Sequence, residues 1–225
     1  MRVVWWLALE FLCSHANEFV SALALTWMII LMIVMRFVHV QRMTVLELRD
    51  MSVEFFCSKG KSKIQGSRRP FYTRMPRRGI SGFDVGHKVY IFHQRKLQLG
   101  FNENFWLPDF GPPRASLGDC QVFLPTKMSQ AKFVRLSGQL FTALSPSVPV
   151  SLSTGTESYE QTIKDNVGRT YKARRVLPTV VDIMGRSTKE AISVGGWRDS
   201  GDGASVREQR RLAMPTRYAD QELEY

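Results

Sequence analysis

The chain has 225 residues, which is enough to bury the core of one catalytic domain. Its net charge of +11 and pI near 9.9 favour a polyanionic partner, either nucleic-acid phosphates or an anionic membrane surface. The three cysteines, Cys13, Cys57 and Cys120, are widely spaced and odd in number, which argues against a disulfide framework or a zinc knuckle.

The first strong pattern is an apolar run from Phe19 to Met35, 17 residues interrupted only by Ser21 and Thr26. This length reaches the lower edge of a membrane-spanning helix, but a fully buried helix of a globular domain is also apolar all round. We therefore expect residues 1–35 to be an apolar helical segment, either a buried helix or a membrane span. The earlier run from Val3 is too short to span, and Glu10 interrupts it as a signal-peptide core.

Residues 52–57 partly alternate polar and apolar side chains, which predicts a half-buried strand. The following segment, residues 58–63, is read as a turn that carries three spaced lysines. Such a turn is most often simply a solvated basic surface.

Positive charge is concentrated between residues 59 and 96. This stretch contains 11 Lys or Arg residues and one acidic residue, Asp84, which gives a local net charge of +10. Interleaved aromatic residues suit a groove that follows a phosphate backbone with salt-dependent affinity and no sequence specificity. The DNA-binding candidates are Lys59, Arg68, Arg69, Arg77, Arg78 and, farther along the chain, Arg175.

The middle of the chain carries fewer functional signals. An aromatic cluster lies between Phe101 and Phe110, and Pro108 and its neighbouring prolines predict loops there. Residues 130–143 have a helical pattern. Residues 144–158 are rich in Ser, Pro and Thr and are predicted to be a loop.

Metal and nucleotide chemistry find little support. The four histidines form no ligand pair at helical i, i+4 spacing, and the segment from Lys59 to Ser62 lacks the first glycine of a phosphate-binding loop. We expect no metal, no cofactor and no nucleotide hydrolysis. The cysteine pattern suggests a reducing, intracellular compartment.

The last quarter of the chain contains the most specific pattern. Residues 180–184 predict the buried side of a helix that Gly185 ends. Ser187 and Glu190 then form a capping box that begins a second helix. This predicted helical hairpin is preceded by Tyr171 and Arg174 and followed by Gly196 and Trp197.

A turn-rich segment, residues 199–203, separates Trp197 from Tyr218. An ordered segment is expected to resume near Met214. Tyr218 lies in this segment.

These residues resemble the phage-integrase family of tyrosine recombinases. The family's second box is His-x-x-Arg, followed by two helices around a glycine turn and then Gly-His or Gly-Trp. Arg174 falls on the box arginine and Trp197 on the His/Trp position. Tyr171 replaces the box histidine, and a phenol with a pKa of about 10 does not shuttle protons at neutral pH.

The resemblance implies an α+β fold, a mainly helical tyrosine-recombinase-like catalytic domain with a small antiparallel sheet, over residues 36–225. Arg36, with Arg42 as alternative, would be the first catalytic arginine. Lys61 or Lys63, and less so Lys59, would be the general acid. The resemblance implies Tyr218 as the nucleophile, with Tyr225 as a weaker second because chain ends are usually loose. The implied catalytic set is Arg36, Lys61, Lys63, Tyr171, Arg174, Trp197 and Tyr218.

The implied function is site-specific recombination or integration of double-stranded DNA through a covalent 3′-phosphotyrosine, by a homo-oligomer on DNA in the nucleus or nucleoid. The chain is short for the family, and we interpret it as a catalytic domain alone, in the form of a fragment or a degenerate copy. Two alternatives stay open: a catalytically inactive DNA-binding module of the same fold, and a membrane-anchored basic protein.

Overall fold

The computed structural model of the chain describes residues 3–59, 63–64, 67–68, 70–101, 105–112 and 122–144. Helices and small antiparallel sheets are both present, which confirms the predicted α+β class. The elements follow the chain as α1 Val3–Leu12, α2 Glu18–Met32, α3 Phe37–Val40, β1 Met43–Leu48, β2 Ser52–Cys57, β3 Lys63–Ile64, β4 Ser67–Arg68, β5 Phe71–Pro76, α4 Val85–Gln98, β6 Pro108–Phe110, β7 Phe123–Lys127 and α5 Gln130–Leu144.

Helix α2 runs through the centre of the core. The Asn17 side chain caps it by accepting hydrogen bonds from the Phe19 and Val20 amides at 2.9 and 3.3 Å. Every residue from Ala22 to Met32 is buried, and α2 contacts α1, α3, α4, α5 and β5. Its apolar surface is therefore covered by protein on several sides.

Helix α2 ends in an unusual backbone conformation. Ile33 is the C-cap, and Val34 has a φ of 54°, in the left-handed region that β-branched residues rarely adopt. The chain then turns into α3, whose N-cap residue is Arg36. Within the part of the chain that the structure describes, no helix combines the length and apolarity needed to cross a bilayer.

A three-stranded antiparallel sheet with the order β1-β2-β5 packs against this helical core. Its central strand β2 occupies Ser52–Cys57, the same six residues for which alternation predicts a strand. Val53, Phe55 and Cys57 are fully buried on one face, whereas Glu54 and Phe56 lie on the other. The sheet therefore has a core face and a solvent face.

Helix α4 covers part of the core face of this sheet. Asp84 caps the helix by accepting a hydrogen bond from the His87 amide at 2.8 Å. A Cβ atom at Gly86 would lie 2.7 Å from Val53 Cγ2 and 2.9 Å from the Arg77 Cα. Glycine at this position thus allows the helix to approach the sheet closely.

The loop that precedes α4 is held by a buried carboxylate from α1. Glu10 accepts hydrogen bonds from the amides of Ile80 and Ser81 at 2.7 and 3.2 Å, and from the Ser81 hydroxyl. The acid that interrupts the first apolar run of the sequence is therefore a structural anchor.

The prediction of loops around Pro108 is wrong in part. Residues Pro108–Phe110 form β6, which pairs with β7 in a second small sheet. Gln41 fixes this region, because its side chain bonds both main-chain groups of Leu107 and the Met128 carbonyl at 2.7–2.9 Å. The helix predicted for residues 130–143 is confirmed as α5.

Candidate nucleic-acid interface

The solvent face of the three-stranded sheet holds a row of side chains whose positions follow from the strand register. Thr44 pairs with Phe56, and Phe56 pairs with Tyr72, across β1, β2 and β5. The rings of Phe56 and Tyr72 lie 5.2 Å apart between centroids, at 48° to each other, and Tyr72 is 59% exposed. An aromatic pair is therefore accessible on the open face of the sheet.

Basic residues lie at the end of this sheet where Cys57 pairs with Phe71. We call it the hairpin end, because the connection that contains β3 and β4 begins there. The Ser58 amide donates to the Arg42 carbonyl at 3.3 Å, so the pairing of the two segments continues two residues beyond the aromatic row. The Arg42 guanidinium donates to the Lys59 carbonyl at 3.4 Å. Lys59 itself is exposed.

The connection from β2 to β5 leaves the sheet at the hairpin end. Residues 58–70 contain five Lys or Arg residues and no acidic residue. Within them β3 and β4 pair, and the register places Lys63 directly opposite Arg68. Two of the predicted candidates, Lys63 and Arg68, therefore lie in the same connection as Lys59.

The opposite end of the sheet, which we call the turn end, has a different electrostatic character. Glu54 pairs with Arg74 at 2.7 Å and with Arg49 at 3.2 Å, and Arg49 also pairs with Glu47 at 3.0 Å. Arginines and carboxylates therefore neutralise one another there, so this end offers less net positive charge to a phosphate.

Arg77 also lies at the turn end. Its guanidinium bonds the Asp84 carboxylate at 2.6 and 2.8 Å and donates to the Arg49 carbonyl at 3.4 Å. The hydrogen bond from Arg77 lowers the pKa of Asp84, and the same bond raises the pKa of Arg77. Arg77 thus joins the end of β5 to the cap of α4.

Arg78 is exposed next to Arg77 and donates to the Gly82 carbonyl at 3.0 Å. The six residues of β2 separate the two ends by roughly 17 Å along the strand. The structure therefore groups Lys59 with the strands that contain Lys63 and Arg68, and it places Arg77 and Arg78 at the other end.

Arg36 has an exposed side chain, and its carbonyl accepts the amides of His39 and Val40 at the start of α3. It precedes Arg42 by one short helix, so both candidate first arginines lie on the segment that leads into β1. The remaining predicted positions lie outside the described residues: Lys61, Arg69, Tyr171, Arg174, Arg175, Trp197 and Tyr218.

The aromatic pair is the feature that sequence reasoning missed. Phe56 and Tyr72 are 16 positions apart, and only the register of β2 against β5 brings them together. The usable signal was the strand pattern of residues 52–57, which places Phe56 on the face opposite the buried Phe55.

Two buried lysines belong to the fold. Lys132 pairs with Asp109 at 2.6 Å and donates to the Phe110 carbonyl at 2.7 Å. Lys96 donates to the Phe105 carbonyl. Among the described residues, no three His, Cys, Asp or Glu side chains gather in a way that could hold a metal ion.

Comparison of the chain with models of known protein families, with curated proteins and with solved structures finds no match in any of the three. The resemblance to tyrosine recombinases is therefore carried by the motif residues alone.

Proposed function

We propose that the chain binds DNA through the phosphate backbone, at the hairpin end of the three-stranded sheet. The observation that carries this proposal is the separation of charge along the sheet. Arg42 and Lys59 adjoin a connection with five basic residues and no acid, whereas Arg49, Arg74 and Arg77 of the turn end pair with carboxylates. A DNA phosphate therefore meets the least neutralised positive charge at the hairpin end.

Binding of this kind is driven by the release of counterions from the phosphates. Each phosphate that the protein neutralises contributes about −0.9 to the slope of log affinity against log salt for duplex DNA. Because phosphate contacts carry no sequence information, affinity should be similar for duplexes of unrelated sequence. The net charge of +11 supports the same partner.

The test measures the salt dependence of duplex binding by fluorescence anisotropy, for the wild-type chain and for the double variant Arg42→Gln/Lys59→Gln. Loss of two phosphate contacts should make the slope shallower by about 2. Arg49→Gln removes an exposed arginine of the turn end that already pairs with Glu47 and Glu54, and it is the matched control, with no expected change. Equal slopes for wild type and the double variant would reject the proposed interface.

A finer activity is supported by the pattern of Tyr171, Arg174, Trp197 and Tyr218. We propose DNA strand exchange in a tyrosine-recombinase-like domain, as part of an oligomer on double-stranded DNA inside the cell. The Tyr218 oxygen would attack the scissile phosphorus, and the 5′-oxygen would leave with a proton from Lys61 or Lys63. The products are a 3′-phosphotyrosine and a 5′-hydroxyl, which conserves the bond for rejoining.

In that reaction Arg36 and Arg174 would hold the non-bridging oxygens, since guanidinium groups stabilise the charge that develops in the transition state. Trp197 would support Tyr218 or donate its indole N–H to the phosphate, and Tyr171 could donate a further hydrogen bond. The replacement of histidine by Tyr171 favours the alternative of an inactive DNA-binding module.

Incubation with nicked random-sequence duplexes, followed by denaturation, separates these activities. A covalent protein–DNA adduct that is lost in Tyr218→Phe would establish strand exchange. Salt-dependent binding without an adduct would establish the binding module instead.

A further inference from the structure

We propose that Phe56 and Tyr72 form a stacking platform for unpaired bases, so that the sheet binds single-stranded nucleic acid in preference to duplex. This inference rests on the proposed DNA binding at the hairpin end and names the form of nucleic acid that is bound there.

The first argument is the geometry of the pair. Phe56 and Tyr72 are direct cross-strand partners on the solvent face, with ring centroids 5.2 Å apart. Tyr72 keeps 59% of its surface exposed. Base–aromatic stacking needs an accessible ring face on a rigid support, and the paired strands β2 and β5 hold the two rings in a fixed register.

The second argument is the position of the pair relative to charge. Arg42 lies opposite Ser58, two residues before Thr44, and Thr44 belongs to the aromatic row. Successive rows on one face of a strand are roughly 7 Å apart. Arg42 is thus one row from the aromatic row, on the strand at the other side of β2 from Tyr72, and Lys59 is exposed at the same end of the sheet.

The third argument concerns the form of nucleic acid whose bases can reach such a platform. In a duplex, each base is covered on both faces by its neighbours, so that ring faces are available only after unstacking. In a single strand, bases can leave the stack without breaking pairs. Exposed aromatic residues beside a basic groove are therefore typical of single-strand binding.

Cross-strand packing alone accounts less well for this pair. A Phe–Tyr pair stabilises a sheet through ring contact, but the 59% of Tyr72 that stays exposed adds nothing to that contact. The basic connection that leaves β2 on the hairpin side of the pair makes that side complementary to a polyanion rather than to an uncharged apolar partner.

The experiment compares binding of labelled oligo(dT) and of a blunt duplex of equal length, by anisotropy at one salt concentration. Wild type should bind oligo(dT) more tightly. Tyr72→Leu should weaken oligo(dT) binding roughly tenfold and leave duplex binding unchanged, whereas Tyr72→Phe should keep wild-type affinity because it keeps the ring. Leu46→Ala removes an apolar side chain exposed on β1 and is the control without an expected effect.

A second measurement uses the wild-type chain and so does not depend on how the variants fold. Oligonucleotides with 5-iodouracil are irradiated on the protein, and the crosslinked peptide is identified. Crosslinks to Phe56 or Tyr72 support the platform, and crosslinks confined to other residues overturn it.

The outcomes separate the two proposals. Equal affinity for single strand and duplex, with no effect of Tyr72→Leu, overturns the stacking platform and leaves DNA binding in place. Absence of binding to either nucleic acid overturns both proposals.

Discussion

The Trp106 indole donates its Nε1–H to the Thr26 hydroxyl over 2.9 Å, and both residues are fully buried. The same hydroxyl donates to the Ala22 carbonyl at 2.7 Å, so that its donor and one acceptor site are both used. Thr26 is one of two polar interruptions in the apolar run of the sequence. It thus joins α2 to a segment 80 residues farther along the chain.

Thr26→Val should lower the free energy of unfolding by about 1–3 kcal/mol, because it leaves the buried indole N–H without its acceptor. Urea denaturation measures the difference. Thr26→Ser keeps the hydroxyl and should cost less. In a double-mutant cycle with Trp106→Phe, the effects should be less than additive, since one bond links the two residues. Fully additive costs would show that the bond contributes nothing.

The helical and extended elements were predictable where the signal is local. Alternation over six residues predicted β2, and helical periodicity predicted α5, because each pattern reports the burial of neighbouring positions. The environment of α2 was not predictable in this way. An apolar run suits a lipid or a protein surrounding equally, and the choice depends on distant partners such as Trp106 and Ser137, to which Thr26 and Trp27 are hydrogen-bonded.

Gly86→Ala should destabilise the fold by about 1–3 kcal/mol, because the new methyl group would overlap Val53 and the backbone of Arg77 at the contact of α4 with the sheet. Thermal or urea unfolding measures the loss. His87→Ala changes an exposed position in the same helical turn and is the matched control, with little or no loss. Equal stabilities of Gly86→Ala and wild type would show that α4 can move away from β2 without cost.

Cys13 and Cys57 should resist thiol reagents in the folded chain. Both thiols are buried, and burial raises the pKa of each. The pKa of Cys13 rises to about 12, since the negative charge of Glu10 adds to the effect of burial. The thiolate is the reactive form, so both sites are protected by exclusion and by protonation. In a Cys120→Ser background, Ellman's reagent should react with them only after denaturant is added. Rapid reaction of either thiol under native conditions would contradict this burial.

The candidate interface was predictable as a region but not as a surface. Charge counting located the basic stretch of residues 59–96, because charge is a property of composition. Charge counting could not separate neutralised from available basic residues within that stretch. The pairing of Arg77 with Asp84 depends on helix packing, and the pairing of Phe56 with Tyr72 depends on strand register. The partition into a hairpin end and a turn end is therefore a result of the fold.

A final prediction concerns His93 of α4, which is 2% exposed and whose Nδ1 has no hydrogen-bond partner among the described residues. Burial lowers its pKa to about 4, and the charge of Lys96 adds to the shift. In the unfolded chain its pKa is about 6.5. Between these two values the unfolded chain binds a proton that the folded chain does not bind, so stability decreases as the pH falls.

The contribution of His93 is fully present above about pH 6.5 and is lost through the window down to about pH 4, by at most about 3 kcal/mol. His93→Met removes the titrating group at similar volume and should flatten the pH dependence of the free energy of unfolding in this window. Urea denaturation at several pH values measures it. Val89→Ala changes a buried residue of α4 that has no titrating group and should keep the wild-type slope. If the free energy of unfolding of His93→Met still falls with pH as in wild type, groups other than His93 cause the loss of stability in acid.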